Sequence, residues 1–250
     1  YVAYLFDKKS TAKTRQEKER YNDFIELLTP IIKAYCSERG QVVCDQAIQV
    51  YGGYGYTKEY MVEQIYRDCK ITTIYEGTNG IQAMDLLGRK LGMKKGTVFL
   101  DFLNEIKATI ASARKIPRLE DLAGRVETAL KRFSEAAMHI SKTAYSKDMK
   151  LAFAYAHPLM EVIGDVIMAW MLLWRAEVAV PRLEKLAGSL DEEAIQSKVA
   201  KNKDAAFYDG QLKAAEFFIT SLLPVTIGKM DAIAAPNPAA IDIHEKSFGG

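Results

Sequence analysis

Seven prolines and three cysteines in 250 residues leave this chain few helix breakers and no even set of thiols to pair. With proline so sparse, long uninterrupted helices are open to it. Cys36, Cys44 and Cys69 are odd in number and fit no zinc or redox-dithiol spacing, which argues against disulfides and points to a reducing compartment, the cytoplasm. Histidine is also scarce: His139, His157 and His244 lie far apart, so no metal site is expected. Charge of one sign is missing, because 34 basic and 32 acidic side chains leave a net +2, too weak a field to gather nucleic acid or an anionic membrane. Even the densest basic cluster, Lys8 to Arg20, is broken by Glu17 and Glu19 and reads as the solvated start of a helix. No signal peptide and no membrane span are expected. The most apolar window, Leu159 to Trp174, holds Glu161, Gly164 and Asp165, falls short of the ~20 residues a spanning helix needs, and reads as a buried core helix. The opening run Tyr1-Val2-Ala3-Tyr4-Leu5-Phe6 has neither methionine nor cap before it, so a piece of a longer polypeptide is expected.

Apolar side chains make up 49% of the chain and charged ones 26%, the balance of a folded globular protein rather than a disordered one. From Tyr21 they recur at 21, 24, 25, 28, 31, 32 and 35, one face of a helix. Thr29 before Pro30 predicts a cap and a new helix running to about Val50, stopped by Gly52-Gly53. Further helices are predicted over Glu59 to Lys70, from Thr78 to Gly92 or Gly96, over Thr97 to Ala113 and over Leu119 to Tyr145. Another is predicted from Asp148 to about Leu186 with a bend at His157-Pro158, and a last one from Ser189 or Asp191 to Pro224, before an irregular tail. Trp170, Trp174, Met168 and Met171 fall at helical spacing and read as packing. No strand is predicted, and short turns between long amphipathic helices imply an all-α fold of two antiparallel helical bundles. The glycines around Lys90 to Gly96 set the expected boundary, giving domains 1–94 and 95–250.

Two stretches carry chemistry. In Ile74-Tyr75-Glu76-Gly77-Thr78-Asn79-Gly80 a lone carboxylate stands among apolar residues. Burial would raise its pKa from the ordinary ~4.3 and make Glu76 a better proton acceptor. Gly77 permits close approach of a ligand, and Thr78-Asn79 reads as the cap and first turn of the next helix, with backbone N–H groups available to an anion. The same residues also fit a plain capped turn with a solvated glutamate. The second stretch, Gln49-Val50-Tyr51-Gly52-Gly53-Tyr54-Gly55-Tyr56, packs three glycines into four residues. Bare backbone there suits a pyrophosphate, with Gln49 adding an amide, although a simple helix stop has the same composition. It is neither a P-loop nor a Rossmann fingerprint. Arg67-Asp68 between the two stretches reads as a helix-end ion pair.

Taken in order, Gln49 to Tyr56, then Glu59-Tyr60, Tyr66-Arg67-Asp68 and Ile74 to Asn79 closely resemble the C-terminal helical domain of acyl-CoA dehydrogenases, over about residues 21 to 92. The resemblance implies α,β-dehydrogenation of an acyl-CoA thioester with FAD, within fatty acid metabolism. Glu76 would abstract the α-proton, hydride would pass to the flavin, and the Glu76 N–H would help hold the thioester oxygen. Tyr75 would line the acyl pocket and Gly77 would lie against the thioester. Gln49, Gly52 and Gly53 would meet the ADP portion of a flavin bound mainly by a neighbouring subunit, while Thr78 and Asn79 would meet the flavin of their own. It further implies an electron-transfer flavoprotein as electron acceptor and a homodimer or homotetramer.

Gly80 departs from the many members that have glutamate or glutamine there, removing one polar contact to the cofactor. Residues 97 to 250 extend past the usual end of the family and resemble a longer branch that includes methylmercaptopropionyl-CoA dehydrogenases, with an added helical domain. The family's N-terminal and β-rich middle domains have no counterpart in these 250 residues, so the chain alone is expected to be inactive. An acyl-CoA oxidase and a non-catalytic helical scaffold are the competing readings.

Overall fold

A computed structural model describes residues 1–249, and among these every regular element is helical. Two compact units emerge: one of residues 1–100, 140–164 and 236–249, the other of 101–139 and 165–235. The chain thus returns to its first unit twice, whereas the sequence suggested two consecutive blocks divided at 94/95.

In the first unit, α1 (Val2–Thr11) leads to α2 (Arg15–Tyr51), whose start is fixed by a capping box in which Thr14 and Glu17 satisfy each other's backbone N–H groups. The predicted break at Thr29-Pro30 does not occur; Pro30 lies buried inside α2. Thr29 does not cap. Its hydroxyl donates back to the Ile25 carbonyl at 2.7 Å, one turn earlier in the same helix. Burial follows the apolar face through Phe24, Leu27, Leu28, Ile31, Ala34 and Tyr35, and beyond Ser37 the helix carries no buried residue. Next come α3 (Val62–Ile71), shorter than predicted, and α4 (Asn79–Asp85), which widens into a π turn over Leu86–Lys90 instead of continuing as an α-helix. Lys94, Lys95 and Gly96 are all left-handed, and this reversal separates α4 from α5 (Thr97–Ala113), whose bounds match the sequence pattern. Lys94 anchors the reversal by pairing with Glu19 and Asp23 of α2, contacts that raise its pKa, the Asp23 hydrogen bond most, and lower that of Glu19.

The later segments of this unit are tied in by specific contacts. Tyr145, just past α6 (Glu120–Ala144), donates to the Gly88 carbonyl, and Phe153 of α7 (Met149–Ala154) packs where a Gly88 Cβ would stand. The hydroxyl of Tyr155 accepts from the Asn237 N–H at 2.8 Å, close to α12 (Ala239–Asp242) in the tail predicted to be irregular. The interruption falls at Tyr155, ahead of α8 (Ala156–Ala187), and not at His157-Pro158: Pro158 sits in the first turn of α8, where its missing N–H has no partner to lose.

In the second unit, Trp170 of α8 is buried, meets Phe102 edge-on at 5.5 Å, and donates its indole N–H to Thr109 at 2.8 Å. Trp174 stacks on it but stays partly exposed. The last long helix predicted, ending at Pro224, is broken into α9 (Glu192–Val199) and α10 (Lys203–Phe217), capped by Asn202, and the chain runs on through a π turn at Phe218–Leu222 into α11 (Leu223–Ala234), beyond the predicted end. Pro224 opens α11 instead of ending its predecessor. Ion pairs Arg118–Glu216 and Arg132–Asp231 and a buried Thr226–Asp165 hydrogen bond fix these helices. By length and composition alone, α8 and the run 203–234 are long and apolar enough to cross a membrane; 67% of the apolar window of α8 is buried in protein, as a core helix requires, against 28% for 203–234.

Gly164 of α8 lies flat against Tyr35 of α2, and a Cβ there would overlap the aromatic ring. Gly164→Ala is therefore expected to destabilise the chain by about 1–3 kcal/mol, because a buried ring between two helices has nowhere to retreat. Urea unfolding monitored by circular dichroism measures it.

Candidate functional site

The segment between α3 and α4 is a tight reversal. The N–H groups of Thr72, Thr73, Ile74 and Tyr75 bond back to Cys69, Lys70 and Ile71, prolonging α3 as turns, and the Asn79 N–H reaches back to the Thr73 carbonyl at 3.1 Å. Within that loop Glu76 has φ 56° and Gly77 φ 87°, two successive left-handed residues. Only glycine takes that region without strain, so Glu76 is the exceptional one. Among the described residues no acceptor is assigned to the N–H groups of Glu76, Gly77 and Thr78. Thr78 is the cap of α4, accepting from the Ile81 N–H at 3.3 Å.

Asn79 fixes this reversal to α2. Its side chain is buried; Oδ1 accepts from Lys33 Nζ at 2.9 Å and lies 3.2 Å from Ser37 Oγ, and Nδ2 lies within hydrogen-bond reach of the Ala34 carbonyl, Ser37 Oγ and Glu38 Oε1. Glu38 also meets His157 Nε2 at 2.7 Å. The resemblance put Asn79 against the flavin. In the structure its side chain and its N–H are spent inside the chain, because a buried amide must satisfy both ends locally.

An open cavity of about 400 Å³ lies beside the reversal, walled by Lys33, Cys36 and Ser37 of α2, by Cys69 and Thr72, and by Tyr75 and Glu76. Glu76 and Tyr75 thus share one recess. Contrary to the burial expected for it, the Glu76 side chain is exposed. The three cysteines are free thiols; burial pushes the Cys36 thiol up, and burial, then the adjacent Cys69 thiol, do the same to Cys44.

Gln49, Gly52 and Gly53 stand apart from that cavity, at the C-terminal end of α2. Gly52 takes φ 63° and ends the helix, and a Cβ on Gly52 or Gly53 would meet only open space, so their backbone is approachable from outside. Gly55 serves packing instead, since a Cβ would strike the Ile48 carbonyl. Tyr60 braces this turn by ring contacts to Tyr51 and Tyr54, each at 5.6 Å. Arg67 does not pair with its neighbour Asp68; it faces Glu63 at 3.9 Å, one helical turn away, as adjacent side chains on a helix diverge. Among the described residues no cluster of histidine, cysteine and carboxylates suits a metal.

Sequence reasoning missed Ser37, Glu38 and Lys33 as partners of Asn79, and Gln82, whose amide reaches the Glu76 carbonyl at 3.2 Å. Polar residues recurring on one face of α2 were the available signal, but nothing in the pattern said what would face them. Asn79→Ala is expected to cost about 1–3 kcal/mol of stability, as Ser37 and Lys33 lose a buried partner; thermal unfolding of the variant tests this.

Residues 102–244 match the family model described as acetyl-CoA dehydrogenase C-terminal like, and residues 9–91 match the acyl-CoA dehydrogenase C-terminal domain. The chain is 34% identical over 246 residues to a butyryl-CoA dehydrogenase of Syntrophomonas wolfei, covering 98% of itself and 38% of that protein. It is 32% identical over 199 residues to the 3-methylmercaptopropionyl-CoA dehydrogenase of Ruegeria pomeroyi, covering 79% of itself and 31% of that relative. The crystal structure of an acyl-CoA dehydrogenase complexed with FAD from Bacillus anthracis superposes with a TM-score of 0.55 at 19% identity, over 95% of this chain and 42% of that one, which establishes a shared fold. The chain therefore spans about two fifths or less of the length of these proteins, and with two consecutive family models accounting for most of its residues, it belongs to the acyl-CoA dehydrogenase family as a C-terminal helical portion.

Proposed function

We propose that the polypeptide carrying this chain is an FAD-dependent acyl-CoA dehydrogenase in which Glu76 is the base that removes the α-proton of the thioester. The carrying observation is the left-handed Glu76–Gly77 pair, which sets a carboxylate beside three successive N–H groups without an assigned partner. A thioester α-proton leaves only if the charge that develops on the carbonyl oxygen is held, and the Glu76 N–H is suited to donate to that oxygen while the carboxylate of the same residue takes the proton. Gly77, without a side chain, lets the thioester approach this backbone, and Tyr75 lines the recess in which the acyl chain is placed.

FAD, when bound, supplies the two-electron acceptor for the β-hydrogen. The residues present fit such a group: Gly52 and Gly53 offer exposed backbone free of any Cβ clash, with Gln49 exposed beside them, for the ADP portion. Thr78 offers its N–H beside Glu76. Asn79 acts through position, holding the reversal to α2, and Gly80 adds no side-chain contact. Because Gln49, Gly52 and Gly53 lie outside the Glu76 recess, we assign them to a second flavin, that of a neighbouring subunit in a homodimer or homotetramer. Exposed apolar side chains from Val43 and Val50 through Tyr56 and Met61 supply surface for such a neighbour or for other domains to cover. Cover over the exposed Ile74, Tyr75 and Ile81 beside the recess would dry the Glu76 carboxylate, which this chain leaves exposed. An electron-transfer flavoprotein is the electron acceptor we infer.

Glu76→Gln in the complete flavoprotein is expected to keep FAD while slowing flavin reduction by butyryl-CoA roughly 10²–10⁴-fold, the usual contribution of a general base. Anaerobic stopped-flow bleaching of the flavin is the measurement, and reduction at the wild-type rate would remove Glu76 from the mechanism.

A further inference from the structure

We propose that Gln82 is a positioning residue for the base, its side-chain amide clamping the Glu76 carbonyl and so holding the left-handed turn that aims the Glu76 carboxylate. The inference rests on the reading of Glu76 as base. Gln82 Nε2 donates to the Glu76 carbonyl at 3.2 Å, while the Gln82 backbone N–H is bonded to the Thr78 carbonyl at 3.0 Å in the first turn of α4. The donor is thus carried by a rigid element, the capped start of a helix, and the acceptor lies in the loop two residues before that cap. Such a clamp has strain to hold: Glu76 at φ 56° lacks the freedom of glycine, and unrestrained it would relax towards extended or helical backbone, swinging the carboxylate away.

Gly77 shows that the clamp occupies its space closely. A Cβ on Gly77 would stand 2.9 Å from Gln82 Nε2, so the room left by the missing side chain is filled by this amide. Glycine at 77 is favoured by its φ of 87°, and a side chain there would push the Gln82 amide off the Glu76 carbonyl. Asn79 secures the C-terminal side of the reversal to α2, and Gln82 secures the side on which Glu76 lies.

The test uses the complete FAD-loaded protein and its FAD-free form, with Gln82→Met, which keeps the length and loses the donor. Thermal midpoint and FAD content should match wild type. Hydrogen–deuterium exchange at the Asn79 N–H, which closes the reversal onto the Thr73 carbonyl, should quicken about fivefold in both forms, the effect of one lost hydrogen bond. Flavin reduction by butyryl-CoA should slow by about 10²-fold with KM within about twofold, as for a misplaced reacting group. Gln82→Lys, which restores a donor, should recover part of the rate. Unchanged exchange, a reduction rate within about twofold of wild type, or a Gln82→Met protein that unfolds or loses FAD would each overturn the positioning role. The two readings separate through Glu76→Gln: if that variant is reduced normally the base itself is wrong, whereas an inert Glu76→Gln beside an unaffected Gln82→Met leaves the base and removes only Gln82.

Discussion

Asn79 is the residue on which the site depends. Its amide is buried against α2, with Lys33 donating to its oxygen and the Ala34 carbonyl, Ser37 Oγ and Glu38 Oε1 around its two hydrogens, while the Ser37 hydroxyl proton is directed to the Ala34 carbonyl. A buried amide left unpaired is expensive, so the chain between α3 and α4 cannot slide along α2 without breaking several bonds together. That constraint fixes where α4 begins, and the start of α4 fixes the residues before it. Thr78 caps the helix, the Asn79 N–H closes onto Thr73, and the intervening residues have to reverse direction within a few bonds.

The reversal explains the unusual backbone. Two left-handed residues in succession turn the chain sharply, and only one of them is glycine. A side chain chosen for turning alone would be glycine at both positions; a carboxylate at 76 in that conformation carries a cost that the proposed role as base would account for. Glycines elsewhere divide the work differently. Gly52 ends α2 by its conformation, Gly55 avoids a carbonyl, and Gly164 makes room for Tyr35.

Helix existence was largely legible because a 3.6-residue apolar period survives any tertiary arrangement. The match of α5 to Thr97–Ala113 illustrates it, bounded by a left-handed reversal on one side and the approach to Pro117 on the other. Helix continuity was less legible. Thr29-Pro30 has the composition of a helix start, yet Pro30 lies within α2, where the buried contacts of Phe24 to Tyr35 outweigh one missing hydrogen bond. The interruptions at Tyr155 and at the π turns carry no composition signal, and they appear only when packing demands a phase change. Of the site, Glu76, Gly77 and the Thr78 cap could be named from local chemistry, while the environment of Glu76 could not, since exposure depends on which elements stand opposite.

What the residues alone decided was the all-helical class, the turn chemistry around Gly52 and Gly77, and a carboxylate in a distinctive setting, all of them consequences of short-range sterics and periodicity. Tertiary structure decided that Asn79 faces inward, that Gln82 reaches the Glu76 carbonyl, that residues 140–164 rejoin the first unit, and that Glu76 stands at the lip of an open recess. The physical reason is the same in each case: hydrogen-bond partners and burial are set by residues distant in sequence, and a one-dimensional pattern holds no record of which distant residue arrives.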